Sequence, residues 1–223
     1  MKKVSAFTLT EILITLSIIG VISVLTLPNV MSSYQKRVQV ASLQRVYNAI
    51  VNATSNYMRE NEVDDLSNSA LVTSDGMKEF FEKYFDAVKI CTSGNGAKAF
   101  NCLEEKYTSS DRDTTFNPAT IQNSAAETVC ASLTMGAVVC LEKSGDKDPA
   151  LFIHLDTNGP QKPNMSGRDF FGRLRLWSDG KVMGHRYDSH TIYMCPDEGG
   201  APLTFTATGC FAKIQREGWQ MNY

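Results

Sequence analysis

Phe7-Thr8-Leu9-Thr10-Glu11-Ile12-Leu13-Ile14-Thr15-Leu16-Ser17-Ile18-Ile19-Gly20-Val21-Ile22-Ser23-Val24-Leu25-Thr26-Leu27, closed by Pro28, is the stretch whose reading decides the fold. Its 21 residues carry a single charge. As a helix they reach about 31 Å, against a hydrocarbon core of about 30 Å, so the length fits a membrane span. Glu11 is the anomaly, because a carboxylate in an apolar span costs a few kcal/mol and is kept where a partner or a function compensates. Lys2 and Lys3 supply a positive end ahead of the run. A cleaved secretory signal has an apolar run of about 7–15 residues and a small-x-small site after it. This run is longer, contains Glu11 and leads into Leu27-Pro28-Asn29-Val30-Met31, so a plain signal is not expected.

Beyond Pro28 the helical pattern continues. Val38, Ala41, Leu43, Val46, Ile50, Ala53 and Tyr57 recur largely at three- and four-residue steps, which predicts an amphipathic second half over 29–58. Pro28 lacks an N–H and clashes with the preceding turn, so a kink or local melting is expected there. After a polar loop from Glu60 to Ser74, the residues Met77, Phe80, Phe81, Tyr84, Phe85 and Val88 predict a second helix, capped by Ser74 or Asp75, with an aromatic stripe turned to the core.

Lys89 to Thr128 is rich in Ser, Thr, Asn, Gly and Asp and reads as an elaborated surface loop, with a short helix near Ala119 to Cys130. The period then changes. Ala137–Glu142, Ala150–Leu155, Arg173–Trp177, Lys181–Tyr187 and Leu203–Ala207 are short, apolar or alternating runs between turn residues, which predicts an antiparallel sheet. Asp179-Gly180 marks a two-residue hairpin turn. The expected class is α+β, a long N-terminal helix with an antiparallel β-sheet head over 59–223.

The residues around the first run carry a resemblance. Ser5-Ala6-Phe7-Thr8-Leu9-Thr10-Glu11 followed by an apolar run resembles the processing motif of type IV pilins and the pseudopilins of type II secretion systems. The resemblance implies a leader over 1–6, cleavage by a prepilin peptidase between Ala6 and Phe7, and methylation of the new amine. Glu11, Gly20 and Pro28 fall where that family commonly has Glu, Gly and Pro. Ala6 departs from the usual Gly before the cut, and Thr10 from the usual aliphatic residue before the Glu. The motif covers about 30 of the 223 residues. Cleavage would free an amine at the head of an apolar helix, and Glu11 of one subunit could face the amine of the next, a buried charge being tolerable when paired.

On this reading the chain is a single-pass inner-membrane protein with its head outside the cytoplasm. Inner-membrane assembly machinery then packs it as a homo-oligomer, or with other pilin-like subunits, into a filament in the periplasm or on the cell surface. Two alternatives stay open: a minor tip or initiating pilin that binds a surface, substrate or DNA, and a membrane-tethered calcium-binding domain that never polymerises.

Six cysteines, Cys91, Cys102, Cys130, Cys140, Cys195 and Cys210, lie in the part expected outside the cytoplasm and read as disulfides. Their spacing forms three local couples, so sequential pairing is expected, each loop contributing about 3 kcal/mol in the chain-entropy model. Zinc is not expected, because there is no CxxC and no His at ligand spacing from a cysteine couple. Asp156, Asn158, Asn164 and Asp169 could present oxygens to Ca²⁺, and some pseudopilins bind calcium in a loop between strands. Pro160 and Pro163 depart from an EF-hand loop, and the same residue types also make ordinary turns.

A net charge of −2, or −4 once Lys2 and Lys3 are lost, gives no basic excess for nucleic acid. His154, His185 and His190 are scattered and no HExxH or GxSxG occurs, so an enzyme is not expected.

Overall fold

The computed structural model describes residues 7–92, 102–109, 114–118, 127–145, 149–184, 195 and 207–223. The chain divides into a first unit ending at Val38 and a second beginning at Gln39. Helix α1, Leu9–Glu60, contributes to both.

In the first unit the helix is apolar on every side and nearly all of it is exposed. Its most apolar eighteen-residue window has a mean hydropathy of 2.1 and none of that window is buried, so α1 is long and apolar enough to cross a membrane. The helix does not melt at Pro28: α1 is continuous through it. Proline removes one rung of the ladder, and the remaining rungs hold the helix.

In the second unit α1 buries one stripe, Val40, Leu43, Val46, Ile50, Ala53 and Tyr57. The stripe starts at Val40, whereas Val38 and Ala41 are exposed. Two 3-10 turns, Leu66–Asn68 and Ala70–Val72, lead to α2, Ser74–Tyr84. Thr73 caps α2, its side chain accepting from the Gly76 N–H at 3.1 Å, one residue earlier than the expected Ser74 or Asp75. Met77, Phe80 and Phe81 are buried. Val88 lies beyond α2 and is 71% exposed, so the aromatic stripe ends at Phe85.

The sheet has six strands: β1 (Ala87–Thr92), β4 (Thr128–Leu133), β5 (Val138–Lys143), β6 (Leu151–Asp156), β7 (Phe170–Leu176) and β8 (Val182–Met183). They stand in that order, all neighbours antiparallel. Two short strands, β2 (Tyr107–Thr108) and β3 (Thr115–Phe116), form a second small sheet. Helix α3, Thr208–Arg216, precedes the C-terminus.

One face of the large sheet, carrying Val129, Leu141, Ile153 and Leu174, shares a core with Leu43 and Ile50 of α1, Phe80 of α2 and Phe211 of α3. The opposite face has its own core of Cys91, Cys102, Leu103, Tyr107, Phe116, Cys130, Val138, Cys140 and Phe170. With a core on each face, β4 and β5 are buried along nearly their whole length instead of alternating.

Several expectations are corrected. The described parts of 89–128 are not surface loop: β1 occupies the start, Thr128, Val129 and Cys130 are strand rather than helix, and Cys102, Leu103, Tyr107 and Phe116 contribute buried side chains to the second core. The β7–β8 turn has three residues, Ser178, Asp179 and Gly180, closed by Gly180 N–H to Trp177 O and Trp177 N–H to Lys181 O, both 2.9 Å. Gly180, at φ +82°, occupies the left-handed position that such a turn requires. The strand expected at Leu203–Ala207 lies outside the described residues except for Ala207, which is left-handed and precedes α3. Of Lys181–Tyr187, only Val182–Met183 is described as strand, and 185–187 lie outside.

The three disulfides are Cys91–Cys102, Cys130–Cys140 and Cys195–Cys210, the sequential pairing that the spacing predicts.

Candidate functional site

In the first unit, the start of α1 is a closed polar knot. Thr8 donates its N–H and its hydroxyl to Glu11 Oε2, both at 2.8 Å, and the Glu11 N–H returns a bond to Thr8 Oγ1 at 3.3 Å. This is a reciprocal capping box, in which the first orphan donors of the helix and the lone carboxylate satisfy one another. Its signature, Thr-x-x-Glu, stands in the sequence and was hidden there by the more conspicuous question of a charge in an apolar run. Thr15, Ser17 and Thr26 donate to the carbonyls of Ile12, Leu13 and Ile22 at 2.9, 2.8 and 2.9 Å. These three hydroxyls are thereby satisfied within the helix, as a hydrocarbon solvent would demand.

Phe7 precedes the helix and is 84% exposed, and Ala6 lies outside the described residues. A Cβ built on Gly20 would meet nothing within 4 Å, so packing inside the single chain does not call for glycine there. Pro28 lies within α1.

In the second unit, the β6–β7 connection, with the strand ends that flank it, carries the residues singled out for oxygen ligation. Asp156 ends β6, Asp169 immediately precedes β7, and Thr157 N–H bonds the Asp169 carbonyl at 2.9 Å, closing the loop at its base. The hydroxyl of Tyr107 donates to Asp156 Oδ2, and the Asn158 N–H to Asp156 Oδ1 at 3.2 Å. The Met165 N–H donates to Asp169 Oδ1 at 2.8 Å. Strand β2 lies along the far side of the loop, with Thr108 N–H on the Asn164 carbonyl at 2.8 Å and Ser166 N–H on the Thr108 carbonyl at 2.9 Å.

Three side-chain oxygens in this loop are buried and accept no hydrogen bond among the described residues: Asn158 Oδ1, Asn164 Oδ1 and Asp169 Oδ2. Burial pushes the Asp156 carboxyl up to about 7, against the Tyr107 bond, which pulls it down. Burial, then the nearby Asp156 charge, pushes Asp169 up to about 8. The Tyr107 phenol is held protonated by burial and by the Asp156 charge. Two carboxylates and two amide oxygens suit a hard cation such as Ca²⁺, which takes oxygen ligands and completes its shell with carbonyls or water. Tyr107, which orients Asp156 from the small sheet, was not visible as part of this site in the sequence.

A second polar group missed by the sequence reading sits on the same face. His154 Nε2 lies 2.7 Å from Glu142 Oε2, both side chains at most 1% exposed, and Arg173 Nη1 lies 3.6 Å from Glu142 Oε1. The Arg173 guanidinium also stacks over the Phe152 ring at 4.1 Å. His185 and His190 lie outside the described residues. No model of a protein family, no curated protein and no solved structure matches the chain.

Proposed function

We propose that the chain is a structural subunit of a type IV pilus or type II secretion pseudopilus, cut between Ala6 and Phe7 and polymerised through the first half of α1. The observation that carries this reading is an apolar helix, exposed on all sides, whose lone carboxylate sits at its very start. Such a surface needs a non-aqueous environment, first lipid and then the helices of neighbouring subunits. In the membrane the capping box holds Glu11. In the filament the free amine of a neighbouring Phe7 competes with Thr8 for the same carboxylate, and a charged donor makes the stronger bond. The chain is thereby an inner-membrane protein with its disulfide-bonded head outside the cytoplasm, later extracted into a filament.

The test is intact mass spectrometry of the protein taken from its native envelope, before and after reduction. A mass beginning at Phe7 with one added methyl, and six hydrogens gained on reduction, is expected. A mass beginning at Met1 or beyond Pro28 would overturn the filament reading.

The β6–β7 loop supports a second, compatible function, a Ca²⁺ site of Asp156, Asn158, Asn164 and Asp169. Its three unsatisfied buried oxygens favour it. Calorimetric titration of the detergent-solubilised chain with Ca²⁺ should show one site, abolished by Asp169→Asn; absence of heat in the wild type would make the loop a structural turn.

A further inference from the structure

Cys91, Cys130 and Cys140 stand in one row across three adjacent strands. Cys91 faces Cys130 in the β1/β4 ladder, and Cys130 faces Cys140 in the β4/β5 ladder. Cys102, bonded to Cys91, places its sulfur 4.0 Å from the Cys130 carbonyl. All four belong to the same buried cluster as Tyr107 and Phe170. Cys130 therefore has two partners within reach: Cys140, to which it is bonded with Cα atoms 3.9 Å apart, and Cys91, opposed to it in a ladder whose facing residues have Cα atoms about 4.5–5.5 Å apart, inside the span that a disulfide bridges.

We propose that these four cysteines form one exchange-coupled quartet, in which the Cys130–Cys140 disulfide donates its oxidation to the Cys91–Cys102 tether through a transient Cys91–Cys130 bond. When the hairpin disulfide exists and the tether is open, the Cys91 thiolate attacks Cys130 Sγ. The S91–S130 bond forms, S130–S140 breaks, and Cys140 leaves as a thiolate that takes up a proton. The Cys102 thiolate then attacks Cys91 Sγ, forming S91–S102 and releasing Cys130. No electrons are gained or lost overall, and closing the hairpin again requires a disulfide oxidant of the exported compartment. The two bonds serve unequal ends. Cys130 and Cys140 are already held together by the β4/β5 hairpin, whereas Cys91–Cys102 fastens the start of the segment that carries β2 and Tyr107 to edge strand β1. A fold that secures the tether first gains more order from a single oxidising equivalent.

The experiment uses the detergent-solubilised full chain. Cys102→Ala leaves Cys91, Cys130 and Cys140 to share one disulfide. After equilibration in a glutathione buffer, rapid alkylation and digestion, cleavage at Met135 separates Cys130 from Cys140, so the linked peptides are distinguishable. Cys91–Cys130 and Cys130–Cys140 are expected within about tenfold of one another, since both pairs are opposed in the sheet. The wild type, oxidised with one equivalent and sampled in time, should show Cys91–Cys130 rising and then falling as Cys91–Cys102 accumulates, which keeps the test open should the variant not fold. Exclusive Cys130–Cys140 in the variant, together with no Cys91–Cys130 at any time in the wild type, would overturn the proposal.

Discussion

Helix α1 answers one question in two ways. Up to Val38 its apolar side chains surround the axis and stay exposed; from Val40 they narrow to a stripe and every member of it is buried. The helix is the same and the patterning differs: a sleeve in one half and a stripe in the other. An all-round apolar helix pays nothing for its side chains in lipid, whereas a stripe needs a sheet to cover it.

The sharpest way to break this contrast is to truncate the two halves equally. Ile50→Ala, in the stripe, should lower unfolding stability by about 2–5 kcal/mol, whereas Ile19→Ala should leave the melting temperature of the head nearly unchanged, within about 0.5 kcal/mol. Thermal melts in detergent followed by near-ultraviolet dichroism would check both. Equal losses would mean that the first half is part of the same cooperative fold.

A smaller effect belongs to the polar loop. Tyr107→Phe removes the donor from the buried Asp156 and should cost about 1–3 kcal/mol, read by denaturant unfolding. The same pair of carboxyls sets a pH dependence. Their folded values, about 7 and about 8, lie above the ordinary 3.8, so they bind protons more tightly folded than unfolded. Their contribution to stability is complete below 3.8 and is lost as pH rises through about 7 and 8. The melting temperature of the cation-free protein should therefore fall across that window, and Ca²⁺ should restore more of it at pH about 9 than at about 5. A melting temperature flat in pH, with no calcium effect, would remove the loop from the comparison.

The smallest effect on the fold falls at the start of α1. Thr8→Ala opens the capping box and should fray the first turn at a cost of about 0.5–2 kcal/mol to that helix end, visible as faster amide exchange at residues 9–12 with the head unaffected. Glu11→Gln should leave the head's melting temperature unchanged and reduce filament yield. Filaments formed equally well by Glu11→Gln would refute the competition between the cap and the neighbour's amine.

Both halves of α1 were legible in the sequence, because periodicity alone separates a stripe from a sleeve, and so were α2 and β5–β7. The strands β1 and β4 were not. Ser132, Thr128, Lys89 and Thr92 dilute their apolar residues, and their burial is decided by Cys102 and Tyr107 arriving from a stretch that composition marks as loop. In the candidate site, the oxygen-bearing residues could be read from their types and spacing. That Asn158, Asn164 and Asp169 keep an oxygen buried and unclaimed could not, since it depends on β2 lying along the loop. Helix α3 was missed for a nearer reason: Cys210, Phe211 and Ile214 do carry helical spacing, but over too few residues to compete with the turn-rich segment before them.

The ends of the large sheet bear on the proposed filament, in which heads would be crowded against their own copies. Strand β8 is two residues long, and β1 carries a bulge between Ala87 and Lys89 with the Lys89 side chain exposed. Short, bulged and charged margins make poor templates for a foreign strand. The heads can stand at high local concentration without zipping together through their backbones, so association is left to surfaces whose register side chains decide.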